Sequence, residues 1–486
     1  MGRMLDILSE GESLNRIAAR VSSERWFGSK TRQIAEAVIR DSAEVRMDGS
    51  NFLLALIDFR FDDCGEELYF VPLLLSEKRD EVKDAWFETD CGAGKLYVGD
   101  ALQSADFIEY LMEIARSGSR VNFGKGSAHY SLTRYFRECM PPAGSGIRRM
   151  EVEQSNSSSV IGGRAIYKTF RRLQAGINPD YEMPLFISQR SASAIVPRPL
   201  AYLEYSSGER MALGILSEYV PNDGDCWKYF TSTLLQQTTW GMGSPEEIDD
   251  AVADIAGTVA EMHNVLSGGE GVRGFEPERI GEEDVKRWLN GYTALRERTL
   301  ASLSNREKLP ARVKPLADQL LSVQDSAADV RELFGPLLSG STHKIRTHGD
   351  LHLGQILRAS GRYIIIDFEG EPMRDIGERR MLHCALRDVA GMLRSLDYAV
   401  MYAHRASGSN GEDAAKNFSS RMQRIFLDSY WRNYRPVAAY LPPSFEGMTD
   451  SLKFFVREKA MYEIAYELNN RPDWTDIPLR ALLSIL

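Results

Sequence analysis

Residues 347–372 read THGDLHLGQILRASGRYIIIDFEGEP, and this stretch decides the fold. His348-x-Asp350 comes first, with Gln355 five residues after the aspartate. Ile356-Leu357, a Ser360-Gly361 turn, a strand over 363–366 and Asp367-Phe368-Glu369 follow. Phosphoryl transfer of the kinase type needs this order. An aspartate on a loop orients or deprotonates the acceptor hydroxyl, and a neutral carbonyl oxygen and a second aspartate beyond a short hairpin complete a metal site. Mg²⁺ takes hard oxygen ligands and few protein contacts, so the Gln355 amide and the Asp367 carboxylate would suffice beside nucleotide phosphates. The bland reading makes His348-Gly349-Asp350 a turn and Asp367 a strand end. Three features at the right separation weigh against it.

Kinase chemistry also needs a strand lysine near the phosphates, held by a helix carboxylate. Lys168 in RAIYKTF (164–170) follows a Gly162-Gly163 turn and shares a strand face with Ile166 and Phe170. A lysine among apolar neighbours either snorkels at a sheet edge or is functional. Glu182, on a helix expected to begin near Asn178-Pro179, is its candidate partner, with Asp180 read as an N-terminal helix acid. SNSSS (155–159) offers small residues and N–H groups that could cover phosphates, or is a plain polar turn. Gly269-x-Gly271-x-x-Gly274 spells a dinucleotide fingerprint but follows a helix, and is rejected.

Around these motifs the chain changes character. After an opening helix over 5–21, residues up to about 100 alternate apolar and polar in strand-sized runs. Residues 150–220 are also β-rich, with hairpins about Gly162-Gly163 and about residues 206–210. Beyond Val220 the spacing turns helical. Ser244-Pro245-Glu246-Glu247 places a capping serine, an N1 proline and an N3 glutamate ahead of Ile248, Val252, Ile255, Val259, Met262 and Leu266. A β-rich half and a helical half make an α+β, bilobal layout with a cleft. The expected segments are a cap over 1–105, an intermediate β-rich nucleotide lobe over 106–220 and a helical C-lobe over 221–486.

Composition narrows the partners. Apolar residues at 43% and charged residues at 26% are ordinary for a soluble globular chain, excluding collagen-like and wholly disordered classes. The net charge of −10 argues against a dedicated nucleic-acid or anionic-membrane binder. Five scattered cysteines suggest neither disulfide framework nor zinc site. The first residues lack a signal-peptide pattern, and no apolar run approaches the ~20 residues of a membrane span, so the cytoplasm is the expected compartment.

The chain resembles the maltokinases, within the aminoglycoside-phosphotransferase-like branch of the protein-kinase-like fold. That family carries HGDxHLGQ, IDFEGEP and PLRDVAGMLRSFDYA, the last appearing here as ALRDVAGMLRSLDYA (385–399). RWFGSK (25–30), GILSEYVP (214–221) and YELNNRPDW (466–474) extend the likeness over nearly the whole chain. Met373-Arg374-Asp375-Ile376 and Leu396 are modest departures that remove no charged catalytic group. The resemblance implies an N-terminal cap and transfer of the ATP γ-phosphate to the anomeric hydroxyl of maltose. The product, maltose 1-phosphate, would feed bacterial α-glucan (glycogen) assembly. Related glucosamine kinases share the HGDxHLGQ and DFEGE segments, which keeps glucosamine or another sugar open as acceptor.

Carried over by position, Asp350 would be the catalytic aspartate, and Gln355 and Asp367 would hold Mg²⁺. Glu369 would support that ion or a second one. Lys168 and Glu182 would pair near the phosphates, and Glu218 and Tyr219 would face adenine through backbone groups. His348 and His352 are expected to orient the loop, either being able to touch substrate oxygens. Arg387 and Asp388 are expected to anchor it, and His263 to be a satisfied core histidine.

For the sugar, the helix over 450–469 sets Lys459, Tyr462, Glu463, Tyr466 and Glu467 at helical spacing, with Trp474 close behind. Sugars call for hydrogen-bonding groups beside an aromatic platform, although a packed helix with half-buried phenols and carboxylates in solvent explains the pattern equally. The competing class, a pseudokinase-like binding module, is opposed by intact Asp350, Gln355 and Asp367.

Overall fold

The computed structural model describes residues 8, 11–47, 50–90, 94–150, 156–236, 246–323, 327–371, 374–408 and 411–486. Ser155, Ser244, Pro245, Cys91, residues 372–373 and most of 1–10, all part of the sequence readings above, lie outside the described residues. The chain divides into two compact units, one up to Leu185 plus Pro197–Pro221, the other Phe186–Val196 plus Asn222–Leu486.

The first unit opens with helix α1 (Gly11–Ser23), then strands β1 (Ile34–Met47), β2 (Ser50–Phe61), β3 (Glu66–Ser76), β4 (Phe87–Asp90) and β5 (Lys95–Asp100). These strands form an antiparallel sheet of order β1-β2-β3-β5-β4. The unbroken apolar run FLLALI (52–57) in β2 follows from burial on both faces. Phe52, Leu54 and Leu56 point into one core, and Leu53, Ala55, Ile57 and Phe59 into another with Ile17 and Val21 of α1.

Helix α2 (Ala105–Ser117), which the sequence reading did not anticipate, fills the first of those cores with Phe107, Ile108 and Leu111. The chain continues through β6 (Val121–Asn122), β7 (Ser127–Leu132), β8 (Ile147–Arg149), β9 (Asn156–Ile161), β10 (Ala165–Phe170), β11 (Arg172–Leu173), helix α3 (Pro179–Arg190), β12 (Pro199–Ser206) and β13 (Arg210–Glu218). The second sheet has order β6-β7-β12-β13-β10-β9-β8, while β11 returns to pair with β3. Tyr130, Tyr167 and Leu203 of this sheet enter the same core as Phe52 and Phe107, so residues up to 105 pack as one unit with 106–185 and 197–220.

Gly162 and Gly163 (φ 54° and 62°) turn β9 into β10 in the expected hairpin. Residues 156–159 are not a turn. Ser157, Ser158 and Ser159 pair with Thr169, Lys168 and Tyr167 and are buried, so a partner strand overrides their turn preference.

The second unit is mainly helical: α4 (Cys226–Leu235), α5 (Glu246–Leu266), α6 (Glu282–Ser304), α7 (Leu386–Ser407), α8 (Glu412–Arg432) and α9 (Phe445–Asn470). All six apolar positions read for α5 are buried. Between α6 and α7 sits a hairpin of β14 (Ile356–Ala359) and β15 (Arg362–Ile365), closed by Ser360 and Gly361 at φ 50° and 77°. Ile365 N–H donates to Ile195 O at 2.8 Å, tying residues 186–196 to it. Cys64, Cys139, Cys226 and Cys384 are free thiols. Among the described residues no helix is long and apolar enough to cross a membrane.

Candidate active site

In the second unit one buried carboxylate organises the loop that bears Asp350. Asp388, near the start of α7, accepts His348 N–H at 2.7 Å and Gly349 N–H at 2.9 Å. His263 Nε2 lies 3.0 Å from the same carboxylate, and its Nδ1 2.7 Å from Tyr430 Oη. Burial alone would raise the Asp388 pKa. The His263 hydrogen bond and charge, with His348 and Gly349, instead hold it below the usual carboxylate range. Thus Asp388 anchors the loop as expected, and His263 is a satisfied core histidine serving that anchor. Arg387 does something else: its guanidinium reaches Glu458 on α9 at 3.2 Å.

The histidines of the motif orient the loop. His348 Nε2 donates to Ile366 O at 2.9 Å, since a carbonyl can only accept, which leaves Nδ1 facing Asp350 N–H at 3.4 Å. His352 Nδ1 accepts Gly354 N–H at 3.0 Å. Leu353 N–H donates to Ser395 Oγ of α7 at 3.0 Å. Loop and helix approach so closely that a Cβ on Gly391 would lie 2.5 Å from Leu351 O, which explains a glycine inside α7.

Asp350 points at α9. Lys459 Nζ stands 3.2 Å from its Oδ1. Burial would raise the Asp350 pKa, but Lys459, then His352 and His348, hold it below the aspartate range. Beside this pair lies a cavity of about 320 Å³, walled by Asp350, Lys459, Tyr462, Glu371, Arg374, Arg387 and Glu458. A second cavity of about 250 Å³ shares Glu371, Arg374, Arg387 and Glu458 and adds Trp288, His383 and Met381. Glu371 pairs with Arg374 at 2.6 Å.

Gln355 and Asp367 come together across the hairpin, Gln355 Nε2 donating to Asp367 Oδ2 at 3.0 Å. Asp367 has φ 63°, a left-handed conformation uncommon outside glycine and frequent at functional sites. A neutral amide and a carboxylate side by side form a hard-oxygen donor set that fits Mg²⁺. The Glu369 carboxylate stands 3.8 Å from Arg379 Nη1.

The residues expected to hold a sugar separate along α9, where each residue advances about 100°. Tyr462 lies to one side of Lys459, lining the cavity, and Tyr466 stacks on it with ring centroids 6.5 Å apart. Glu463 and Glu467 lie on the other side. Glu463 is bound by Arg394 of α7 at 2.8 Å, and buried Glu467 by Arg471 at 2.6 Å. Trp474 stacks on Tyr402, centroids 5.5 Å apart. The structure therefore groups only Lys459 and Tyr462 with Asp350 in the cavity wall. Glu463 and Glu467 depart from the packed-helix alternative too, because they are paired with arginines and not in solvent. Glu371, Arg374 and Glu458 escaped the sequence reading. Glu371 sat unremarked in a quoted motif, and Glu458 carried no signal apart from its place one residue before Lys459.

In the first unit the Asp180 carboxylate stands against Lys168, with Oδ2 2.9 Å from Nζ. The sequence reading had taken Glu182, two residues further along α3, as the partner and Asp180 as a mere helix acid. Asn178 accounts for Asp180's position. Its side chain accepts Asp180 N–H at 2.9 Å, its own N–H donates to Tyr202 Oη at 3.1 Å, and Tyr181 stacks on Tyr202. Glu218 N–H and Tyr219 N–H donate to Arg198 O and Arg164 O, both at 2.9 Å. Those two N–H groups are thus engaged within the unit, and what these residues can offer a base is carbonyl oxygen.

Residues 162–396 match the phosphotransferase enzyme family (APH). A glucosamine kinase of Streptacidiphilus jiangxiensis is 26% identical over 418 residues, 82% of this chain and 90% of the relative. One of Mycolicibacterium smegmatis is 24% identical, covering 70% and 80% respectively. A solved glucosamine kinase in complex with glucosamine, ADP and inorganic phosphate superimposes with a TM-score of 0.65 at 19% identity, over 96% of this chain and 98% of that one. The fold is the aminoglycoside-phosphotransferase-like one.

Proposed function

We propose that the protein is an ATP-dependent sugar kinase whose acceptor is glucosamine or a closely related amino sugar. The observation that carries this reading is the polar cavity holding Asp350, with the carboxylates of Glu371 and Glu458 in its wall. An ammonium on the acceptor would find a carboxylate there, and hydroxyls would find both donors and acceptors. The glucosamine kinase relatives agree with it.

In this reading Asp350 accepts the proton of the acceptor hydroxyl as its oxygen bonds to the γ-phosphorus. The bond from that phosphorus to the β,γ-bridging oxygen breaks, and its electron pair leaves with ADP. Asp367 and Gln355 would hold Mg²⁺, which neutralises phosphate charge when bound. Lys168, steadied by Asp180, would contact the phosphates.

A disaccharide such as maltose is the second reading, favoured by one observation. A second cavity shares Glu371 and Arg374 with the first and is lined by Trp288, His383 and Met381, where a second ring could rest on an aromatic surface. Purified protein assayed for ADP release with glucosamine, maltose, glucose, an aminoglycoside and no sugar separates these readings. Turnover with glucosamine at least 10-fold above maltose supports the first. The reverse order supports the second, and no turnover above the sugar-free control with any acceptor overturns the sugar-kinase assignment.

A further inference from the structure

We propose that Lys459 is a positioning residue, fixing the Asp350 carboxylate by an ion pair so that one oxygen stays free to take the acceptor's proton. The proposal rests on the reading of Asp350 given above. Lys459 comes from α9, 109 positions beyond the aspartate, and meets Oδ1 at 3.2 Å. Oδ1 is thereby engaged, and Oδ2 is left for the hydroxyl. Its side chain is only 22% exposed and that of Asp350 28%, so water screens the pair less than it would at the surface.

The surroundings favour the pair over a sugar contact. Burial would lower the Lys459 pKa, but Asp350, then Glu371, Glu463 and the Tyr462 phenol, hold it above the ordinary lysine value. His348 and His352 face Asp350 from its own loop. Arg298 of α6, Arg374, and Arg387 and Asp388 of α7 complete the charged groups of the cavity, with Glu458 beside Lys459 on α9. Among these, the cation within hydrogen-bond distance of Asp350 is Lys459. During transfer it would compensate the carboxylate until the proton arrives on Oδ2, after which the ammonium keeps Oδ1 in place.

Lys459→Met retains the stem and removes the charge. It should lower kcat about 10-fold or more and leave the sugar KM within about twofold. It should also move the acid limb of the kcat profile to higher pH, because Asp350 loses the charge that favours its ionised form. Lys459→Arg should restore most of kcat. A raised sugar KM with kcat and acid limb unchanged would make Lys459 a substrate contact and overturn the proposal. One readout needs no turnover: the ¹³C-dimethyl resonance of Lys459 followed through a pH titration. It should titrate above an ordinary lysine, and Asp350→Asn should bring it down. A Lys459 titration indifferent to Asp350→Asn overturns the pairing even if the sugar-kinase reading stands. Wild-type turnover in Asp350→Asn would instead remove the catalytic reading and this proposal with it.

Discussion

In the proposed mechanism the chemistry at Asp350 reduces to one carboxylate with two duties. It must stay ionised in a partly buried place, and it must keep a lone pair facing the acceptor. Asp350→Asn preserves shape and removes the base, so kcat should fall by ~2–4 orders of magnitude, the range of general-base loss, with ATP affinity little changed. Single-turnover measurements of phosphotransfer and nucleotide binding check both halves. That aspartate was legible because its motif spacing is chemically constrained. Its cation was read less well. Lys459 was visible as a helical lysine, but nothing in its neighbours says which of several carboxylates it meets. Lys168 shows the converse, since the lysine stands out in its strand while the ion pair with Asp180, two residues before the expected Glu182, does not. Which acid leads a helix into position depends on Asn178 N–H bonding Tyr202 Oη and on Tyr181 stacking against Tyr202, and both are tertiary contacts.

Among elements, α7 and α9 show what periodicity can and cannot tell. The hairpins and α5 were legible, because turn dipeptides and apolar spacing are local signals. Helix α9 carries charges around most of its circumference, so its pattern gives no inward face. Burial of Glu463 against Arg394 and of Glu467 against Arg471 is known only once α7 and the segment after α9 are in place. Tyr462→Ala should therefore raise the sugar KM several-fold, whereas Trp474→Ala, which unstacks Tyr402, should leave it within about twofold. Steady-state kinetics at saturating ATP distinguishes them. Gly391 gives a sharper test. Alanine is favoured over glycine inside a helix by ~1 kcal/mol, yet here its Cβ would meet Leu351 O at 2.5 Å. Overpacking of this kind costs ~1–3 kcal/mol and should win. Gly391→Ala is thus expected to lower the denaturation midpoint and to reduce kcat by displacing the loop next to Asp350.

The whole molecule places its two candidate ligand-holding groups in different compact units, Lys168 with Asp180 in one and Asp350 with Lys459 in the other. Saturating ADP with Mg²⁺ at ~100 times its Kd should stabilise the wild type by ~2.7 kcal/mol through mass action. Lys168→Met should remove most of that gain and leave stabilisation by the sugar intact. Calorimetric melting with each ligand alone is the measurement, and equal loss of both effects would count against the division of labour. The β-rich and helical halves were legible from the change of period near Val220. The shared core of the two β-rich segments was not, because a core common to distant strands leaves no local mark.

The clamp that Asp388 places on the HGD loop also has a consequence for how the protein is made. Asp388 follows His348 by 40 positions, and Lys459 follows Asp350 by 109. A ribosome delivering this chain from its N-terminus exposes the HGD motif long before the carboxylate that clamps it and the ammonium that pairs with it. A nascent chain therefore carries the complete motif well before it carries the complete site.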